Sequence, residues 1–166
     1  MLMDTITLRF LQQADFPYVL IWSKDPEFCA ANGWEIERQE ADLATWWERC
    51  LHINSPSFIR LGIEYKGILI GYADLAEIHD QQAEIGVAIG DRSLWGIGLG
   101  TKVVKQLIDY GADNLNITIF KGETHATNLR SQNMLQKLGF KEISRIGSEL
   151  YCNEEVTLVQ YQYSIY

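Results

Sequence analysis

Two spacings of apolar residues along this chain predict a mixture of strands and helices. Alternation with a period of two, as in Ile6, Leu8 and Phe10, marks strands, whereas recurrence every three to four residues marks helices. The predicted strands cover residues 5–10, 58–65, 68–78, 83–89, 117–120, 141–146 and 156–163. The predicted helices cover residues 13–22, 40–51, 99–111 and 127–138, and residues 23–38 form an irregular excursion or a helix-loop-helix tip.

The order of these elements predicts a mixed α/β (α+β) fold in a single domain that spans residues 1–166. That order is β-α-α-β-β-β-α-β-α-β-β. The turn Lys66-Gly67 joins two middle strands as a hairpin, which makes them antiparallel neighbours. A strand, a helix and a strand follow between residues 83 and 120, and such a unit implies one parallel pair in the same sheet.

A glycine-rich segment, Leu-Trp-Gly-Ile-Gly-Leu-Gly-Thr at residues 94–101, lies between a predicted strand and a predicted helix. Free backbone N–H groups and the positive end of a helix attract an anion, and glycines let a phosphate approach the backbone. The segment lacks the Gly-Lys-Ser/Thr ending of a P-loop, and its G-x-G-x-G spacing departs from the dinucleotide pattern G-x-G-x-x-G. We interpret it as a cradle for a pyrophosphate; the plain alternative is a turn shaped by three glycines.

Composition narrows the classes of partner. The 166 residues include 14 Lys and Arg against 22 Asp and Glu, a net charge of -8, which argues against nucleic acid and anionic membranes and is compatible with an amine substrate. Three widely spaced cysteines, without clustered His or Asp, predict neither a disulfide framework nor a metal site. We find no signal peptide and no apolar run near ~20 residues, so we expect a cytoplasmic protein without a membrane segment.

Two motifs in the second half of the chain resemble the GCN5-related N-acetyltransferases (the GNAT family), which are acetyl-CoA-dependent enzymes with this element order. The family's cofactor signature, Q/R-x-x-G-x-G/A, fits residues 95–100 except that Trp95 replaces the first Gln or Arg. The family's N-x-x-A/S motif matches residues 128–131, and its K-x-G-F motif matches residues 137–140. An aromatic residue before the first glycine is similar to the branch that contains the ribosomal-protein N-terminal acetyltransferases.

The resemblance implies a sheet that splays open beside the strand 83–89, with acetyl-CoA as the co-substrate in the gap. Backbone groups of Val87, Ala88 and Ile89 would hold its pantetheine arm, and an N–H there could stabilise the oxyanion of the reaction. Asn128 would hydrogen-bond the pantetheine, with a helix N-cap as its alternative role. The residues that would hold the pyrophosphate are Trp95, Gly96, Ile97, Gly98, Leu99, Gly100 and Thr101.

Glu84 is the candidate general base, because related histone acetyltransferases carry a glutamate at the same distance from the glycines. Its alternative role is that of a strand carboxylate hydrogen-bonded to a loop. A peptide α-amine, with a pKa near ~7.8, is about one-third neutral near neutral pH, whereas a lysine-like amine near ~10.4 is neutral in about one part in a thousand. A base is therefore useful for the first amine and close to necessary for the second. The family's usual acid, a Tyr seven residues after the motif Asn, is replaced by Leu135.

We expect direct transfer of an acetyl group to a primary amine, and a protein N-terminal amine is the first interpretation of the acceptor. A small amine such as a polyamine or an aminoglycoside is the second, and a non-catalytic acyl-CoA-binding module is the third. Trp34, Tyr72 and Asp74 are the candidate acceptor residues, since aromatic walls suit cations. His125 is expected to be structural, and the choice between a monomer and a homodimer stays open.

Overall fold

An eight-stranded mixed sheet forms the centre of the structure, a computed structural model that describes residues 5–166. The strands are β1 (Ile6–Arg9), β2 (Ile59–Tyr65), β3 (Ile68–His79), β4 (Gln82–Ile89), β5 (Ile119–His125), β6 (Lys141–Ser144), β7 (Ser148–Tyr151) and β8 (Glu154–Ser164). Neighbours in the sheet follow the order β1-β2-β3-β4-β5-β8-β6, and β7 pairs with β8 outside this path. Every pair is antiparallel except β4 with β5.

Five α-helices pack around the sheet. They are α1 (Phe16–Ser23), α2 (Pro26–Asn32), α3 (Glu40–Leu51), α4 (Leu99–Leu115) and α5 (Leu129–Lys137). The helix α2 begins behind Asp25, whose carboxylate accepts a hydrogen bond from the backbone N–H of Glu27 at 3.1 Å, and it ends at Gly33 with φ +67. Within residues 5–166, each helix is too short or too polar to cross a bilayer.

Two apolar clusters hold the layers together. The first joins α4 and α5 to the sheet through buried side chains such as Val103, Leu107 and Phe120. The second joins α1, α2 and α3 to each other and to two sheet residues, Leu69 and Ala88. The sheet is thereby covered by helices in two separate clusters, and β4 contributes side chains to both of them.

The parallel pairing of β4 with β5 is short. Three residue pairs are in register, and the last of them is Glu84 with Lys121. Beyond that pair β4 continues to Ile89 on β3, and β5 continues to His125 on β8. The two strands therefore separate, and the sheet is open beside the second half of β4, as the family resemblance implies. We call this opening, between residues 85–89 and 122–125, the gap.

The mixed α/β fold class is confirmed, and the differences lie in particular elements. The helix α2 forms within the predicted irregular stretch, and β7 was not predicted at all because three of its four side chains are exposed. Buried Ile117 lies outside β5, which begins two residues later and runs on through alternating polar residues. The single domain over residues 1–166 stays a prediction, and residues 1–4 of it lie outside the described part of the chain.

Candidate active site

The backbone of β4 presents hydrogen-bonding groups to the gap. Bonded and non-bonded pairs alternate along an antiparallel ladder, and the N–H of Gly90 donates to the carbonyl oxygen of Ile70 at 2.7 Å where β3 and β4 meet. The alternation directs the backbone groups of Val87 and Ile89 toward the gap and those of Ala88 toward β3. Val87 and Ile89 therefore have backbone groups on the side of the gap, the carbonyl of Ile89 being bonded to Trp95, and the contact of residues 87–89 with the pantetheine arm stays a prediction.

The glycine cradle, residues 95–101, forms an open helix N-terminus. Gly96 and Gly98 adopt φ +78 and +89, a conformation that residues with a Cβ rarely adopt. Gly98 is the N-cap of α4, and because no side chain caps the helix, the first backbone N–H groups of α4 are available. A Cβ added to Gly98 would meet nothing within 4 Å. This uncapped and uncovered terminus has the geometry of an anion site.

Trp95 anchors the cradle to the sheet. Its indole Nε1–H donates a hydrogen bond to the carbonyl oxygen of Ile89 at 2.8 Å. Its ring packs against the cluster built by α1, α2 and α3. The bond satisfies a carbonyl group at the edge of the gap and fixes the start of the glycine turn relative to β4. The tryptophan therefore has a positioning role at the place where the family signature has Gln or Arg.

Glu84 lies where β4 and β5 separate. It occupies the last parallel pair, opposite Lys121, and its side chain is exposed on the sheet face opposite that of Ala83. Desolvation, then the negative charges of Glu123 and Glu77, raise the pKa of Glu84, while Lys121 lowers it. A carboxyl group with a raised pKa at the base of an opening is a physically reasonable candidate for a general base.

The three predicted acceptor residues lie together, with Arg60 of β2 between them. The indole Nε1–H of Trp34 donates to the hydroxyl oxygen of Tyr72 at 2.9 Å. The guanidinium of Arg60 lies 4.4 Å from the ring centroid of Tyr72 and donates to both carboxylate oxygens of Asp74, at 2.7 and 2.8 Å. Asp74 in turn faces Gly86 of β4, where an added Cβ would lie 3.6 Å from its Cβ. We call these four side chains, Trp34, Arg60, Tyr72 and Asp74, the acceptor cluster.

Arg60 was not predicted as a site residue. A hairpin continued without a break from the turn Lys66-Gly67 would pair Arg60 with Ala73, because Tyr65 pairs with Ile68. A bulge between Ile63 and Glu64 shifts the register by one residue and brings Arg60 opposite Asp74 instead. The Arg60–Asp74 ion pair therefore depends on a β-bulge that the pattern of the sequence does not predict.

Asn128 and Leu135 have clear structural environments. Asn128 is the N-cap of α5, where its Oδ1 accepts a hydrogen bond from the backbone N–H of Ser131 at 3.1 Å. Its contact with pantetheine stays a prediction. Leu135 is buried in the cluster under α4 and α5, against Gly122 of β5. An apolar side chain thus fills the place where the family has its tyrosine.

His125, which we expect to be structural, lies at the end of β5 and contacts the β7–β8 hairpin. The ring of His125 contacts the carboxylate of Glu149 on β7 and lies 5.0 Å from the ring of Tyr151. These contacts join the end of β5 to the β7–β8 hairpin, which is a structural task. Among residues 5–166 no group of three or more His, Cys, Asp or Glu side chains is placed to hold a metal ion.

Arg130 of α5 also lies at the cradle and was not predicted. Its guanidinium carbon would be 3.6 Å from a Cβ on Gly96. It falls inside the N-x-x-A/S motif at a position that the motif leaves free, so the motif gives no signal for it. The position of Arg130 beside Gly96 is evident only from the packing of α5 against the cradle.

Comparisons with known proteins agree with this geometry. The family model of the acetyltransferase (GNAT) domain matches residues 5–141, and the chain therefore belongs to the GNAT acetyltransferase family. It is 28% identical over 137 residues to human alpha/beta-tubulin-N-acetyltransferase 9, covering 82% of this chain but 57% of that protein. It is 27% identical over 169 residues to the spermidine N(1)-acetyltransferase of Escherichia coli strain K12, covering 96% of this chain and 88% of the relative.

Solved structures show the same fold. The spermidine N-acetyltransferase of Vibrio cholerae in complex with CoA and spermine superposes with a TM-score of 0.82 at 19% identity, over 96% of this chain and 95% of that one. A RimL ribosomal L7/L12 alpha-N-protein acetyltransferase in complex with coenzyme A gives 0.82 at 16% identity, over 99% and 97%. The predicted family, the enzyme class and acetyl-CoA as co-substrate are thereby confirmed. These neighbours act on different acceptors by name, so the comparisons do not choose between them.

Proposed function

We propose that this N-acetyltransferase acetylates a primary amine by direct attack in a ternary complex, and that the acceptor is a protein N-terminal amine. The observation that carries the proposal is the end of the β4–β5 pairing at Glu84. From that point a single strand provides a candidate base, gap-facing backbone groups at Val87 and Ile89, and the connection to the open N-terminus of α4. Base, acyl site and diphosphate site therefore follow one another along continuous chain.

The chemistry assigned to these groups is direct acyl transfer. The neutral amine nitrogen forms a bond to the thioester carbonyl carbon, the carbon–sulfur bond breaks, and coenzyme A leaves as a thiolate with the bonding electrons. Glu84 takes the proton that the amine loses, directly or through a water molecule. A gap-facing N–H of β4 would donate to the developing oxyanion, an interaction worth roughly 3–4 kcal/mol in other enzymes. Because Leu135 cannot donate a proton, the thiolate would leave unprotonated or be protonated by water.

The strength of this base favours an α-amine. A carboxylate is a weaker base than an amine even when its pKa is raised, as desolvation and the charge of Glu123 raise that of Glu84, and an α-amine with a pKa near ~7.8 needs little help to lose its proton. A lysine-like or polyamine nitrogen near ~10.4 would require roughly 4 kcal/mol for deprotonation before attack. The site thus matches the amine that is already partly neutral.

The acceptor cluster supports the same choice. Arg60 binds both oxygens of Asp74, so this carboxylate is neutralised and is not free to bind a second ammonium group. The walls that remain are the half-buried aromatic rings of Trp34 and Tyr72. The ring of Tyr72 already has the guanidinium of Arg60 4.4 Å from its centroid, so this aromatic face is less available to a second cation and favours an uncharged peptide segment over a polycation.

A small cationic amine is the second candidate. The observation in its favour is a group of three carboxylates beside the gap, in which the charges of Glu77 and Glu123 raise the pKa of Glu84. A name among the relatives, spermidine N(1)-acetyltransferase, points the same way. In this interpretation the carboxylates attract the acceptor, and Glu84 still removes the proton.

A thiol-release assay with acetyl-CoA distinguishes these acceptors. The panel contains peptides with free N-termini, the same peptides blocked at the N-terminus but with a free lysine, spermidine and an aminoglycoside. We expect the highest kcat/KM with the free N-terminal peptides and at least tenfold less with their blocked counterparts. Spermidine as the best substrate would select the second candidate. No acetyl transfer to any amine, from a folded protein that binds coenzyme A, would contradict both.

A further inference from the structure

The packing of α5 against α4 places Arg130 over the glycine cradle. Met134 of α5 lies against Gly100, where an added Cβ would be 3.3 Å from its sulfur. Arg130 stands one helical turn earlier on the same face of α5 and lies against Gly96. The three atoms nearest to a Cβ on Gly96 all belong to its guanidinium group, at 3.6 to 3.9 Å. Two side chains of α5 thus lie against two glycines of the cradle.

Arg130 lacks a carboxylate partner within residues 5–166. Arg9, Arg60, Arg92 and Arg145 each form an ion pair with Asp or Glu, whereas within residues 5–166 Arg38 and Arg49 form none, like Arg130, and Arg38 lies over the ring of Trp46 instead. This difference matters in a chain of net charge -8, because carboxylates outnumber cations. The exposed guanidinium of Arg130 is left without an anion of the protein's own.

The position of Arg130 is electrostatically unfavourable without a ligand. It is the second residue of α5, and a cation in the first turn of a helix opposes the helix dipole. It also lies beside the uncapped N-terminus of α4, which is a second positive end. Two positive groups that converge on one open surface are stabilised when an anion lies between them.

We propose that Arg130 binds the diphosphate of acetyl-CoA together with the N-terminus of α4. The inference rests on the proposed function, since it assigns one more residue to the same cofactor site. The planar guanidinium group can donate two parallel hydrogen bonds to one phosphoryl group, which matches phosphate geometry better than a lysine does. The backbone N–H groups of Leu99, Gly100 and Thr101 then remain for the other phosphoryl group.

Calorimetry with two ligands tests this assignment. The ligands are coenzyme A and dephospho-coenzyme A, which keeps the diphosphate but lacks the 3′-phosphate. The proteins are the wild type, Arg130→Gln, Arg130→Lys and Arg145→Gln. Arg145→Gln is the matched control, because it removes the same charge from another exposed side chain. Arg145 follows β6 and pairs with Glu142 of that strand.

We expect Arg130→Gln to raise the Kd of both ligands about tenfold or more, the loss of one charged hydrogen-bonding group. Arg130→Lys keeps the charge without the planar fork, so its loss is smaller, and Arg145→Gln leaves both Kd values unchanged. The unliganded Arg130→Gln protein should unfold at the same temperature as the wild type or higher, because a cation leaves the first turn of α5.

Three results would overturn the inference. The first is wild-type affinity for coenzyme A in Arg130→Gln. The second is a loss seen with coenzyme A but absent with dephospho-coenzyme A, which would move Arg130 to the 3′-phosphate. The third is a lowered unfolding temperature that accompanies the loss, which would assign Arg130 a structural role. A wild type that binds no coenzyme A would instead contradict the proposed function itself.

Discussion

The indole Nε1–H of Trp95 and the carbonyl oxygen of Ile89 form a hydrogen bond of 2.8 Å that connects the start of the glycine cradle to the end of β4. One end of this bond belongs to the proposed diphosphate site and the other to the gap. The bond therefore fixes the position of the glycine cradle relative to β4, and with it the distance between the two parts of the proposed cofactor site. It also removes one carbonyl group of β4 from those available to the pantetheine arm.

Trp95→Phe should weaken acetyl-CoA binding more than it weakens the fold. The substitution keeps an aromatic ring for packing but removes the donor, so we expect a loss of about 1 kcal/mol in the free energy of unfolding and a several-fold rise in KM for acetyl-CoA. Urea denaturation and steady-state kinetics measure the two effects. Trp34→Phe is the matched control, because it also removes one indole donor, to Tyr72, and should leave KM for acetyl-CoA unchanged.

Glu84→Gln should flatten the acidic limb of the pH profile of kcat/KM, because that limb reports protonation of the base. Neighbouring charges predict the sign of two further shifts. Glu123→Gln removes a charge that raises the pKa of Glu84 and should move the limb to lower pH, and Lys121→Gln should move it to higher pH. An acidic limb unchanged in Glu84→Gln would exclude Glu84 as the base.

The raised pKa of Glu84 also predicts a pH-dependent effect on stability. A carboxyl group whose folded-state pKa lies above its unfolded value stabilises the fold while it is protonated, and this contribution is lost as pH rises through the folded pKa. At neutral pH the wild type therefore bears an unfavourable charge that Glu84→Gln removes. We expect the variant to unfold at a higher temperature at pH 7, with the difference shrinking toward acidic pH. A lower unfolding temperature at pH 7 would show that Glu84 makes stabilising contacts instead.

Arg60→Met should destabilise the protein by about 3 kcal/mol, because it leaves the carboxylate of Asp74 largely buried and unpaired. The side chains of the pair are 16% and 15% exposed, so water can reach little of the orphaned charge. Urea denaturation measures the loss, and Arg60→Met with Asp74→Leu should recover most of it. We also expect KM for the amine to rise with little change in KM for acetyl-CoA. Equal effects on both would place the pair outside the acceptor side.

Leu135→Tyr should fail to restore a general acid. Leu135 is 3% exposed, and its two terminal carbons lie 3.6 Å from the position of a Cβ on Gly122, so a larger side chain would overfill the core. We expect a loss of about 1–3 kcal/mol in stability and no rise in kcat. Leu135→Met, which conserves the volume, should cost less than ~1.5 kcal/mol. A gain in kcat without loss of stability would show that this position reaches the leaving thiolate.

Local patterns predicted most of the fold. The helix α3 has the predicted bounds, Glu40–Leu51, because its apolar spacing is regular and Trp47 is buried as that spacing requires. The helix α2 also had a signal, Asp25-Pro26 at its start and Gly33 at its end, which was weaker than an apolar repeat. By contrast β7 buries so little that it exists only through its pairing with β8.

Part of the candidate site could likewise be predicted from local patterns, and part of it could not. The cradle was predictable because glycines before a helix have a local meaning that does not depend on the rest of the fold. The roles of Arg60 and Arg130 were not, because one depends on a bulge in β2 and the other on how α5 packs beside α4. Long-range packing places these two guanidinium groups, and no spacing along the chain encodes it.

The short parallel pairing of β4 with β5 has a consequence for the turnover of the protein in a cell. Three residue pairs hold it, and the proposed pantetheine arm would add hydrogen bonds to β4 beyond them. A ligand that binds the folded chain and not the unfolded one adds its binding energy to the resistance against unfolding. We therefore expect turnover of this protein by proteases to slow when acyl-coenzyme supply is plentiful and to quicken when a starved cell runs short.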